Sequence, residues 1–180
     1  MTEQAVLLQA VRFLEESGAG DLPHPGGTLL AHLSRVQARL AAWDARPALR
    51  LAGLCHAAYG TDGFAGSLLP LDRRTDLAAL IGAEAEEIVY RYAACERSAT
   101  YPTLAEPGAP LHDRFTGRPH AADPRLLRDF AELTAANELD LADQDPAFRE
   151  RWGPHLFELF TRLRPLLSDA AWADCRITLA

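Results

Sequence analysis

Two histidines offer this chain its clearest chemistry. His32 stands in the apolar stretch LLAHLSRV, and His56 follows in GLCHAAYGTDGF. An imidazole exchanges its proton near neutral pH and, when neutral, offers a lone pair to a metal ion. His56 falls in the most apolar segment of the chain, beside Tyr59 and Thr61, where an imidazole without a partner costs free energy. Two readings follow. In one, His32 and His56 line a pocket as general acid and base, or as ligands of a reshaped metal site. In the other they are core histidines hydrogen-bonded to backbone or to Asn137. We take the first as the working expectation, with Tyr59 as a further catalytic residue and Thr61 as a substrate-binding one.

Arginine is the natural receiver of an anionic substrate, because a guanidinium pairs bidentately with carboxylate or phosphate. Arg73, Arg74 and Arg91 fall on helical stretches where solvated arginines are ordinary. Arg97, at the start of a long Pro-rich segment, and Arg114, inside DRFTG, are the expected substrate-binding pair. The acidic run Glu84, Glu86 and Glu87 opens a helix after Gly82, and the helix dipole accounts for it. His112-Asp113 lies in the Pro-rich segment and carries no weight as a site.

The elements that must position these groups are helices. Apolar spacing predicts helices over about 2–17, 28–43, 47–60, 73–80, 83–96, 124–140, 146–163 and from 168 onward. No segment shows sustained strand alternation, so the expected fold class is all-α. Residues 98–123 hold four prolines and read as a long irregular loop, a candidate lid closing over the His56 region.

Composition narrows the functions. The chain has 180 residues, 48% of them apolar, which suits a single domain spanning 1–180 with a substantial core. All 18 basic residues are Arg; without lysine there is no Schiff base, pyridoxal-phosphate lysine or phosphate-loop lysine. Ala/Arg/Leu-rich, Lys-free usage points to a GC-rich bacterial genome. A net charge of −7 with no basic cluster argues against nucleic acid and anionic membrane as partners, leaving a small-molecule substrate. Cys55, Cys95 and Cys175 are too few and too scattered for a disulfide framework or a zinc knuckle. No apolar run reaches the about 20 residues of a membrane span, and the start lacks signal-peptide character. The expected location is cytoplasmic.

The segment from Pro25 to Arg97 resembles the HD-domain superfamily, and within it the helical arrangement of bacterial guanosine-polyphosphate hydrolases. An early helix carries one His (His32), a buried helix carries another (His56), and RTDLAALIGAEAEEIVYRY is similar to the acidic helix that follows. A fuller likeness, through AGLCHAAYGTDGF, IGAEAEE, DRFTG and AANELD, is to an uncharacterised HD-like group. The resemblance implies an HD-like helical bundle and a divalent ion held by two imidazoles and two carboxylates, activating water. It places Ala57 where the family has the Asp of its His-Asp pair and Asn137 where it has its last Asp, so both carboxylate ligands are lost. Asn137 becomes a candidate catalytic residue by that alignment. A metal, if retained, would draw on His32, His56, Asp62 and Asp140, with His24 and Glu138 as further candidates. The implied activities are metal-assisted hydrolysis or metal-free His acid/base chemistry of the lyase, isomerase or cyclase type, acting in biosynthesis on a small anionic molecule. A diiron oxygenase ranks lower because it needs more ligands. The alternative is a degenerate, non-catalytic module that binds a ligand or partner.

Overall fold

Apolar residues three and four apart fold into helix in each of the predicted segments, though not always to the predicted end. A computed structural model describes residues 2–64 and 66–180. Among these residues the fold is mostly α, with nine α-helices and two small antiparallel sheets. The chain, read from its sequence as one domain, divides into two compact units, 1–94 and 95–180.

The first unit contains α1 (Glu3–Glu16), β1 (Pro23–His24), β2 (Gly27–Thr28), α2 (Leu29–Ala42), α3 (Pro47–Cys55), α4 (Arg74–Ile81) and α5 (Ala83–Ala94). Side chains fix the starts. Thr2 accepts from the Ala5 amide and Thr28 from the Ala31 amide, while Pro47 opens α3. The buried stripe of α2 is Leu29, His32, Leu33, Val36 and Leu40. It packs on α3, whose residues from Leu51 to Cys55 are all buried. Gly53 makes the approach close, because a Cβ there would collide with Leu40 Cδ1.

Helix α3 ends at Cys55, well before the predicted position 60. The cause is local. The His56 ring takes the Gly53 carbonyl (Nδ1–O 2.8 Å), the acceptor that a continuing helix would give to the Ala57 amide. Turns follow, closed by Gly60 with φ 72°, the left-handed conformation expected of it.

The second unit contains α6 (Arg97–Thr100), β3 (Pro110–Asp113), β4 (Arg118–Ala121), α7 (Pro124–Gln144), α8 (Pro146–Arg162) and α9 (Asp169–Leu179). Residues 98–123 are more regular than the expected irregular loop. They hold most of α6 and a hairpin in register from Pro110↔Ala121 to Asp113↔Arg118. Strands of four residues carrying Pro110 and Pro119 are too short, and too proline-marked, to show strand periodicity. Asp113 Oδ1 accepts from the Phe115 and Thr116 amides and builds the turn, so the literal His-Asp dipeptide has a structural role.

Helix α7 starts at Pro124 behind the cap Asp123, whose carboxyl sits below its ordinary range because the Leu126 amide donates to it. Residues 129–140 are buried without interruption. The helix packs on α8 and α9, and buried Glu132 accepts from the Ser168 amide at 2.7 Å, tying α7 to the start of α9. No helix among the described residues is long and apolar enough to cross a membrane.

Candidate functional site: a buried imidazole pair

Helix α2 carries His32 and the end of α3 carries His56, and their packing turns the two rings toward each other. The Nε2 atoms are 3.4 Å apart, and the residues are 1% and 2% exposed. Around the pair the first unit supplies further rings. His24 stacks on His32 with centroids 4.0 Å apart, and Tyr92 meets His56 edge-on at 5.4 Å. Phe64 stands edge-on to His24.

The Gly53 carbonyl favours one tautomer of His56. A carbonyl oxygen only accepts, so His56 Nδ1 carries a hydrogen and donates it. In the neutral ring the lone pair then sits on Nε2, the atom facing His32. His32 Nε2 completes the contact as the N–H donor, since two N–H groups cannot face each other at this distance. The result is a preset acceptor on His56 and a donor on His32. Such a pair can take a proton from one point and return it at another.

The donor set does not fit the divalent ion that the HD-domain resemblance implies. Ala57, buried and apolar, follows His56 directly, at the position where that resemblance calls for a carboxylate ligand. Among the described residues no group of three or more His, Cys, Asp or Glu side chains is arranged to hold a metal. Asp62 is half-exposed in the turn after α3, and Asp140 is buried in α7 of the second unit.

Tyr59, expected as a catalytic residue, has its hydroxyl engaged in a buried network. Its hydroxyl donates to Glu86 Oε1 at 2.9 Å, and Arg74 grips the same carboxylate through Nε (2.7 Å) and a terminal nitrogen (2.8 Å). Burial, with Glu86 added, pushes the Tyr59 hydroxyl well above its ordinary range, so it stays protonated at neutral pH. Arg74 also lies over the Tyr90 ring at 3.7 Å and reaches Glu87, which pairs with Arg91. The helix-dipole account of the acidic run is therefore incomplete. Glu86 is buried and forms the hub of a network joining the turn after α3 to α4 and α5. Cys55, next to His56, is buried and its thiol is pushed up to about 12, which keeps it unreactive. Thr61 is buried and bridges to Phe64 through backbone hydrogen bonds.

The other expected site residues belong to the second unit. Arg97 pairs with buried Glu138 at 3.1 Å, and Asn137 is buried with its amide Nδ2 donating to Glu138. Arg114 is exposed in the hairpin turn, its guanidinium over the Phe115 ring at 4.4 Å. Arg97 also lines a cleft of about 790 Å³ formed by α6, the following turn and α8. Sequence reasoning missed that cleft. Its signal was the recurrence of Phe148, Trp152, His155 and Leu159 along one face of α8.

Residues 13–97 match a family described as a domain of unknown function, DUF6817. That span contains α2, α3, α4 and α5, hence both histidines and the Glu86 network. No curated protein and no solved structure matches the chain.

Proposed function

We propose that the first unit is an HD-like helical bundle whose chemistry has passed from metal to imidazole, and that it acts in the cytoplasm as an acid/base enzyme on a small anionic molecule. The observation that carries this reading is the pair of contacts made by the His56 ring, from which its tautomer is inferred. Its Nδ1–H is tied to Gly53, so its Nε2 lone pair faces His32 Nε2 at 3.4 Å. In the proposed reaction His56 Nε2 accepts a proton from the substrate and, as the imidazolium, returns it at another position, while His32 positions the ring and ends unchanged, which is the chemistry of a lyase, isomerase or cyclase. Metal-assisted hydrolysis ranks second, because Ala57 is no ligand and the described residues hold no group of three ligating side chains.

The same absence of carboxylate ligands favours one other reading, a non-catalytic HD-like module that binds a ligand or partner. A screen of the purified chain against small phosphate esters and carboxylic acids, with and without EDTA, separates the three. Turnover that persists in EDTA is the expected result. Turnover abolished by EDTA and restored by a divalent ion would select the hydrolase. Stabilisation against heat by a ligand that is never converted would select the binding module.

A further inference from the structure

The imidazole pair is closed to solvent, with His32 1% and His56 2% exposed. A substrate cannot touch His56 Nε2 in this arrangement, so a reaction there needs part of the cover to move. Most of the cover is core. Helices α2 and α3 meet through buried apolar stripes with Gly53 close against Leu40, and Tyr92 stands on α5, where Ile88, Val89 and Ala93 are buried too. Separating these helices would expose the core of the unit, at a cost near that of unfolding it.

One side is built differently. His24, stacked on His32 at 4.0 Å, stands on the β1–β2 hairpin, whose strands are two residues long and whose Pro23, Pro25, Gly26 and Gly27 are exposed. Ring contacts of His24 with His32 and Phe64 hold it down, and from α2 the Arg35 guanidinium donates to the Pro25 (3.1 Å) and Gly26 (3.4 Å) carbonyls. Exposed hydrogen bonds and ring contacts are weak ties beside a packed helix face. The base of the hairpin is fixed: the Leu29 amide donates to the Leu22 carbonyl at 2.8 Å and the Leu30 amide to the Ala19 carbonyl at 3.0 Å. We infer that this hairpin is a flap, pivoting on residues 22 and 29 to lift the His24 ring off His32 and uncover the imidazole pair to a small molecule. The inference rests on the acid/base reading, because a reaction at the pair is what requires it to open.

The test reads access. Diethyl pyrocarbonate, a small reagent that carbethoxylates imidazole nitrogen, is applied to the whole chain at neutral pH. Initial rates at His32 and His56 are followed by peptide mass spectrometry against the exposed His155. His24→Ala and Arg35→Ala each remove a tie of the hairpin. Each should speed modification of the pair about three- to tenfold relative to His155, the scale of one lost hydrogen bond or ring contact. Leu77→Ala, which opens a core cavity on α4, should lower the melting temperature yet leave those rates unchanged. Rates at the pair that stay at the parent's value in both His24→Ala and Arg35→Ala would overturn the flap. So would rates that rise as much in Leu77→Ala, since the pair would then be reached by unfolding of the unit. Access is read without turnover, so a flap that opens in a chain converting no substrate leaves the acid/base reading to fail alone.

Discussion

Replacing His56 with glutamine is expected to lower turnover of the best substrate in the screen by about 10² to 10⁴-fold, the usual contribution of a positioned acid/base group. Glutamine keeps much of the ring's volume and can still form hydrogen bonds, but it cannot take up and release a proton near neutral pH. His32→Gln should fall in the same range, and the double variant should be little worse than either single one, because the two rings act as one unit. Melting temperatures measured alongside separate chemistry from folding. The contacts of the pair include the Gly53 carbonyl on His56 and the 3.4 Å contact between the rings, and a glutamine side chain can still hydrogen-bond in their place. Shifts of a few degrees are therefore expected. Additive losses in the double variant, or full activity in either single one, would remove the paired-imidazole mechanism.

The largest effect on stability should come from Glu86→Ala. That change removes the acceptor of the Tyr59 hydroxyl and of two Arg74 nitrogens from a residue only 5% exposed. Breaking one side of a buried, hydrogen-bonded ion pair costs about 3–5 kcal/mol when both charges are buried. The Arg74 side chain keeps 32% of its surface in water, which moves the expected loss toward about 2–3 kcal/mol. Tyr59→Phe, which removes one hydroxyl from the same carboxylate, should cost about 1–2 kcal/mol. Chemical denaturation of the two variants and their combination checks this. The losses should be less than additive, since the Tyr59 bond no longer exists once Glu86 is gone. A Glu86→Ala variant as stable as the parent would show that the network contributes nothing to the fold.

What could be read in the sequence divides along the distance over which the physics acts. Helices α1 and α2 were expected over 2–17 and 28–43 and occur over 3–16 and 29–42, because their caps and apolar stripes are local signals. His32 and His56 drew attention as imidazoles in apolar helices, and mutual pairing answers the cost of burying them. The early end of α3 was not legible, since it depends on a side chain taking its own helix's carbonyl. Nor was Glu86: its partners Tyr59 and Arg74 stand 27 and 12 residues away, and nothing in a run of three glutamates says which one turns inward. The hairpin within 98–123 was hidden by prolines that serve as turn and edge residues as readily as loop residues.

The tautomer of His56 is where the account stands or falls. Long-range ¹H–¹⁵N correlation of ring-labelled protein at neutral pH assigns protonated and unprotonated nitrogens separately for each histidine. The account predicts His56 with its hydrogen on Nδ1 and an unprotonated Nε2, and His32 with its hydrogen on Nε2. A spectrum showing His56 protonated on Nε2, or both rings averaging freely between tautomers, would contradict it.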